Sequence, residues 1–312
     1  MNQIRCKYVG QNNVSCHHPA DEHSGFCFWH DVHAAKNTPD IKPQLEELVR
    51  DGYSLEGFAL HKAKLSGANL AHANLNGARL FQADLSGASL FKTNLDNANL
   101  NEANLENANL LGIRLENARL EHTYWGKYLL QELLARNAQK AGKRIEAKQL
   151  YGEAEEVARY LTNESEKRRQ YDIGGRFYRL ERVMRRMQMR PFSGEWLWSK
   201  LVDMLCGYGE NAARVISFSI LVILISAILY FLLGLHSASA NGLVVFDSQL
   251  NAKDNAVRFM ECLYFSVITF TTTGYGDFSP VNFSRLVAVM EAFIGAFSIS
   301  LFVVVFVRKM TQ

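Results

Sequence analysis

The chain has 312 residues, a formal net charge of +3 and 48% hydrophobic residues, which is enough for two or three domains. So small a net charge gives no reason to expect a nucleic-acid partner. The average hides a division, because most apolar residues come after about residue 212 and most charged residues before it. The first residues, MNQIRCKYVG, lack the apolar core of a signal peptide, so the N-terminal part is expected to stay in the cytoplasm.

Three of the five cysteines lie within the first 27 residues. Cys6, Cys16, Cys27 and His30 have the spacing C-x9-C-x10-C-x2-H. Three thiolates and an imidazole suit a closed tetrahedral site, so we predict structural Zn2+ in an N-terminal cap, residues 1–40. Free thiols of a reducing compartment are the alternative. Other histidines able to substitute as ligands are His17, His18, His23 and His33.

Leucine recurs every five residues from Leu55 to Leu120, fourteen times without a gap. A period of five would scatter the leucines around an α-helix and would send them to alternate faces of a flat strand. Every leucine points inward only if each repeat also turns a corner. Four corners make a coil of about twenty residues, with successive coils about 4.8 Å apart.

The segment ANLNGARLFQADLSGASL resembles the A(D/N)Lxx pattern of the pentapeptide-repeat family. The resemblance implies a right-handed quadrilateral β-helix over residues 54–123, and such solenoids need capped ends. From Glu56 to Glu121 there are seven acids and six bases, unlike the acidic surface with which some family members mimic DNA. A structural role or contact with a cytoplasmic protein partner is therefore expected, without nucleic-acid binding.

Residues 124–190 are predicted to form an α-helical linker, because small and apolar residues recur there at helical spacing. The six arginines from Arg176 to Arg190 suit anionic lipid headgroups or, equally, a solvated or subunit-contacting face. Residues 191–209 place apolar residues on one helical face. We expect an interfacial helix on the cytoplasmic membrane surface there, with a soluble amphipathic helix as the alternative.

Two long apolar runs follow: residues 215–235 carry no charge, and residues 286–307 carry only Glu291. As helices, both are long enough to cross a hydrocarbon layer of about 30 Å, and two buried helices of a soluble domain are the alternative. Between them, residues 255–270 are too short to cross and lead into TTTGYGD. A short helix followed by extended backbone predicts a re-entrant loop, which needs surrounding protein or a water-filled path.

Helix, pore helix, TTTGYGD and helix, in this order over residues 212–310, resemble the pore of two-transmembrane potassium channels. The resemblance implies a homotetramer in the lipid bilayer, in which rings of backbone carbonyls replace the water around K+. The residues carried over as filter are Thr272, Thr273, Gly274, Tyr275 and Gly276.

The surroundings of this filter depart from the common pattern of the family. Thr273 stands in place of the commoner valine or isoleucine, and selectivity over sodium is expected. Tyr264 and Phe265 replace a Trp-Trp pair, which removes an indole donor expected for Asp277. Thr273 is predicted to form part of the filter, and the residues predicted to support it are Tyr264, Phe265 and Asp277.

Glu291 interrupts the second apolar run, and a carboxyl inside a membrane span is a functional-site hypothesis. Ile268 stands where some bacterial relatives place a glutamate behind the filter, so Glu291 is the candidate for that role. A packing role is the alternative. Gly295 aligns with the glycine at which the inner helix bends in this family, and a close helix contact is the alternative there.

The sequence therefore predicts passive, potassium-selective conduction and no enzymatic activity, since it contains no recognisable nucleophile with its base and no phosphate loop. The arginines of residues 176–190 and the missing signal peptide favour a multi-pass protein of the inner cell membrane with both termini in the cytoplasm. A non-selective cation channel and a membrane-anchored interaction scaffold are the alternatives.

Overall fold

The computed structural model describes residues 4–10, 15–237 and 242–311, with side chains described as far as residue 307. The chain forms two compact units, Met1–Met189 and Arg190–Gln312. The first unit holds the leucine repeat and its ends, and the second holds both apolar runs.

The leucine repeat forms a solenoid in which parallel bridges join residues twenty positions apart, from Ala59 with Arg79 to Asn104 with Tyr124. Each coil therefore contains four five-residue repeats, and hydrogen bonds between coils are about 2.7–3.0 Å long. The fourteen leucines fill the axis, and none is more than 2% exposed. The β-helix predicted from the period of five is confirmed.

The corners of the solenoid consist of left-handed backbone. Every fifth residue from Gly57 to His122 has a φ between 53° and 69°. Glycine or asparagine, which adopt this conformation most readily, occupies eight of these fourteen positions. The remaining positions carry Lys62, His72, Gln82, Lys92, Glu102 and His122.

The N-terminal segment covers the first coil. Trp29 stacks on Phe58 with ring centroids 5.2 Å apart, and its carbonyl accepts the N–H of Ala59 at 2.8 Å. Helix α1, Ile41–Arg50, adds Ile41 and Leu45 to the same core. The open edge of the solenoid is thus paired and covered, as a solenoid end requires.

Three helices follow the repeat: α2, Leu130–Lys140; α3, Arg144–Lys167; and α4, Tyr171–Gln188. They pack on the last coil through polar contacts. The Tyr160 hydroxyl accepts the N–H of Leu115 at 2.7 Å, and Arg168 Nε donates to the Ala118 carbonyl at 2.8 Å. Arg176, from the arginine-rich segment, donates to the Gly126 carbonyl. These helices therefore satisfy backbone groups that the final coil leaves without a next coil.

The second unit consists of helices α5, Gly194–Cys206; α6, Ala212–Leu233; α7, Ala252–Phe270; and α8, Ser284–Thr311. Strands β1, Leu235–Ser237; β2, Gly242–Val244; and β3, Phe278–Pro280 form a small antiparallel sheet in the order β2-β1-β3. α6 and α8 are long and apolar enough to cross a membrane.

The helix α6 ends before the C-terminal end of the first apolar run, residues 215–235. Gly234 has a φ of 95°, which ends α6, and Leu235 pairs in β1 although the sequence places it in the span.

Upstream, Gly207–Gly209 form one turn of 3-10 helix between α5 and α6. This first Gly-Tyr-Gly is therefore a connection into the span.

Replacing glycine by alanine should change the stability in opposite directions at a corner of the solenoid and inside a helix. Gly87→Ala should lower the free energy of unfolding by about 1 kcal/mol, because φ is 65° although a Cβ there would approach no atom closer than 4.0 Å. Gly152→Ala, inside α3, should raise it by about 0.5–1 kcal/mol. Thermal unfolding of the full chain measures both, and shifts of the same sign would contradict the assignment of corner and helix.

Candidate ion pathway and metal centre

The segment after α7 has an alternating backbone. Thr272, Gly274 and Gly276 have φ values of 57°, 52° and 82°, whereas Thr273 and Tyr275 between them do not have positive φ. In a regular strand successive carbonyls point to opposite sides, so this alternation lets them point to one side. Thr272 adopts the left-handed conformation without being glycine, and such strain is typical of functional sites.

The inner half of this segment is tied to the end of the pore helix. The N–H groups of Thr273 and Gly274 donate to the Ile268 carbonyl at 2.9 and 3.3 Å. The hydroxyls of Thr271 and Thr273 are 2.9 Å apart. Tyr275, in the outer half, is 71% exposed within one chain. The structure thus anchors the predicted filter at Ile268 and leaves its outer half open.

Tyr264 interacts through its side chain with Asp277, the acid that follows the predicted filter. Asp277 Oδ1 is buried and has no hydrogen-bond partner among the described residues. Phe265 packs elsewhere, edge-on against Tyr230 with ring centroids 4.9 Å apart. One of the two aromatic replacements therefore contacts the acid, and the other contacts the first span.

Glu291 lies 1% exposed between three helices. The Tyr230 hydroxyl of α6 donates to Oε2 at 2.6 Å, and the Ser266 hydroxyl of α7 contacts Oε1. Ser226 of α6, which is also buried, lies near this carboxyl. The carboxyl is thus fully surrounded by polar groups, as a buried carboxyl requires.

The path from this carboxyl to the filter is short. Ser266 lies two residues before Ile268, the residue whose carbonyl anchors the filter. The sequence reasoning named Glu291 but missed its partners on α6. The available signal was Tyr230 and the serines, among them Ser226, within a span whose other residues are apolar.

Gly295 lies against the end of the pore helix. A Cβ at this position would be 2.0 Å from the Phe270 carbonyl oxygen, so only glycine allows α8 to pass this close. α8 continues as one helix from Ser284 to Thr311. Close contact accounts for the glycine in this conformation, and its role as a hinge stays a prediction.

The four residues of the cysteine-histidine pattern come together in the first unit. Their ligand atoms all lie within 4.8 Å of one another. Cys16 Sγ and Cys27 Sγ are 3.8 Å apart, and His30 Nδ1 lies 3.6 Å from Cys6 Sγ and 3.2 Å from Cys27 Sγ. Zn–S bonds of about 2.3 Å in a tetrahedron place sulfurs about 3.8 Å apart. The cluster therefore has dimensions that suit a tetrahedral ion.

The surroundings prepare His30 as a ligand. Its Nε2 donates to the Glu56 carbonyl at 2.9 Å, which leaves the Nδ1 lone pair facing the sulfurs. Burial lowers the pKa of His30 and raises the pKa of the Cys27 thiol to about 12. The imidazole is thus held neutral, while the thiol becomes a ligand only when a cation compensates its charge. Among the described residues, no alternative histidine belongs to the cluster.

Two known families match this chain, one in each of its two compact units. The family described as "Ion channel" matches residues 217–312, and "Pentapeptide repeats" matches as eight copies over residues 60–97 and 83–121. No curated protein matches the chain. The protein is therefore a membrane protein with an ion-channel domain. More particularly, residues 217–312 form an ion-channel domain of the two-transmembrane potassium-channel type, and residues 60–121 form a pentapeptide-repeat domain in the same chain.

The contacts of Glu291 predict a coupled effect on stability. Glu291→Leu leaves the Tyr230 and Ser266 hydroxyls without this buried acceptor, so it should destabilise the fold by about 1–3 kcal/mol. Tyr230→Phe in the same chain should recover part of this loss, because one unpartnered hydroxyl is removed. Thermal unfolding in detergent provides the measurement.

The control for this cycle is Ser300→Ala, since the exposed Ser300 hydroxyl bonds only to the carbonyl of Ala296 in its own helix. It should change stability by less than about 0.5 kcal/mol. Strict additivity of the Glu291 and Tyr230 substitutions would show that the two side chains are energetically independent.

Proposed function

We propose that this protein is a potassium-selective channel that conducts K+ passively as a homotetramer. The observation that carries the proposal is the alternating backbone of Thr272–Gly276, held at the end of a short helix between two membrane-length helices. Backbone carbonyls directed to one side replace the water of an ion, and an uncharged carbonyl ring suits K+. The channel family provides the context for this geometry.

The tetramer is supported by what one chain leaves uncovered. A single filter segment surrounds an ion on one side only. Tyr275 is 71% exposed, and Phe293 and Phe297 of α8 are 73% and 51% exposed. Neighbouring copies cover these side chains, and Tyr275 points away from the pore and braces the filter against the pore helix. Gly295 provides the bend of the inner helix when the pore opens.

The remaining assignments complete the channel. The protein lies in the inner cell membrane with both termini in the cytoplasm, and α5 lies along the cytoplasmic surface, where the exposed Leu197 and Trp198 enter the interface. The solenoid is a right-handed, four-sided β-helix that contacts a cytoplasmic protein and regulates the pore. Neither unit acts as an enzyme or binds nucleic acid.

The cysteine-histidine cluster holds structural Zn2+. The distances between sulfurs, the hydrogen bond from His30 Nε2 to Glu56 and the three buried ligands support a closed site. Residues 1–40 then form a zinc-bound cap. The domains beyond it are the repeat at 54–123, the helical linker at 124–190, the interfacial helix at 191–209 and the pore at 212–310.

Ion flux from proteoliposomes tests the channel proposal. Under matched K+ and Na+ gradients, the wild-type protein should release K+ at least about tenfold faster, because a carbonyl filter fits the weakly hydrated ion. Gly274→Ala should abolish this flux, because its φ of 52° strains any side chain. Gly209→Ala, in the first Gly-Tyr-Gly, is the matched control and should keep the selectivity.

Three other outcomes would redirect the proposal. Equal K+ and Na+ flux would identify a non-selective cation channel. No flux from correctly inserted protein would favour the membrane-anchored scaffold. Equal loss in the Gly209 and Gly274 variants would mean that the two motifs do not differ in function.

Metal analysis tests the zinc assignment. Purified protein should contain about one zinc per chain, and Cys27→Ser should remove it, because a closed site needs all four ligands. Cys206→Ser, at a buried cysteine outside the cluster, should leave the zinc content unchanged. Wild-type protein without metal but with an intact N-terminal unit would contradict the assignment.

A further inference from the structure

A cavity of about 350 Å³ opens beside the cysteine-histidine cluster. Cys16 and His30 of the cluster line it, together with polar side chains that include His18 and Glu56. A cavity of this size that has polar groups in its lining admits water and small polar reagents. The metal centre is therefore accessible from one side.

Cys16 is the cluster residue that this opening exposes. Cys6, Cys27 and His30 are 5%, 2% and 8% exposed, whereas Cys16 is half-buried. Accessibility therefore selects Cys16 as the sulfur that meets a reagent first.

A second sulfur is in place to complete a reaction. Cys27 Sγ lies 3.8 Å from Cys16 Sγ, a distance that side-chain rotation has to shorten to about 2.05 Å in a disulfide. A reactive cysteine with a neighbouring cysteine that resolves its oxidised form is the arrangement of a redox sensor. We propose that Cys16 is an oxidation site for peroxides, and that its disulfide with Cys27 releases the metal.

The chemistry balances in two steps. The Cys16 thiolate attacks one oxygen of hydrogen peroxide, the O–O bond breaks, and a sulfenic acid and hydroxide form. The Cys27 thiolate then attacks the Cys16 sulfur, the S–O bond breaks, and a second hydroxide leaves. Two thiolates have lost two electrons, and the peroxide has been reduced to two hydroxides.

The consequence reaches the N-terminal cap. After the reaction only Cys6 and His30 remain as ligands, too few for a closed zinc site. His30 also donates to Glu56 in the first coil, and its neighbour Trp29 pairs with Ala59. Metal loss therefore weakens the covering of the solenoid end. This inference rests on the proposed zinc site and is independent of ion selectivity.

The test uses zinc-loaded full-length protein in detergent, treated with hydrogen peroxide. A chromogenic chelator follows zinc release, and mass spectrometry without reduction maps the disulfides. We expect zinc release to proceed together with a Cys16–Cys27 cross-link, while Cys206 and Cys262, both buried, stay reduced. Zinc content before treatment tests the metal assignment separately, so failure of one proposal is distinguishable from failure of the other.

Two variants form a matched pair. Cys16→His and Cys6→His each keep four metal ligands, but only Cys16→His removes the reactive sulfur. Peroxide should release zinc from Cys16→His at least about tenfold more slowly than from wild-type protein, and from Cys6→His at close to the wild-type rate. Equal rates in the two variants, or a Cys6–Cys27 cross-link in wild-type protein, would overturn the proposal. If a variant lacks zinc before treatment, the wild-type cross-link decides.

Discussion

The need of every backbone N–H and C=O for a partner governs both units of this chain. In the solenoid, each coil satisfies its neighbour, so the difficulty is confined to the first and last coils. Trp29 pairs with the first, and Tyr160 and Arg168 bind backbone groups of the last. In the second unit, α6 and α8 satisfy their own backbones, which lets them cross a membrane. The segment Thr272–Gly276 alternates its backbone, and its carbonyls are the groups that the proposed channel offers to an ion.

Left-handed backbone at fixed spacing provides the geometry in both places. A spacing of five makes corners, and a spacing of two aligns carbonyls. The corners accept Lys62 and Gln82 as well as glycine, because the N–H of each residue donates to a carbonyl of the next coil, which offsets the strain. In the filter, Thr272 adopts the same conformation within a segment that one chain leaves exposed. The strain at Thr272 is therefore a stronger indication of a functional site than the strain at the corners of the solenoid.

How far the sequence predicts this molecule depends on the range of each interaction. The period of Leu55 to Leu120 is local, so coil size and core followed from counting residues. The cysteine-histidine cluster followed from ligand chemistry. The end of α6 could not be predicted from the sequence, because Leu235 is as apolar as the span but pairs in β1. The contact of Glu291 with Tyr230 could not be predicted either, because the two residues are 61 positions apart and share no local pattern.

The altered residues around the filter belong to one rearrangement. Ile268 of α7 carries no acid and holds the predicted filter segment through its backbone carbonyl. The nearby acid is on α8, where Glu291 bonds to Ser266 and Tyr230. One turn later, Gly295 contacts the final carbonyl of the pore helix. α8 therefore contacts α7 at two places, one on each side of Ile268, whose carbonyl accepts the N–H groups of Thr273 and Gly274.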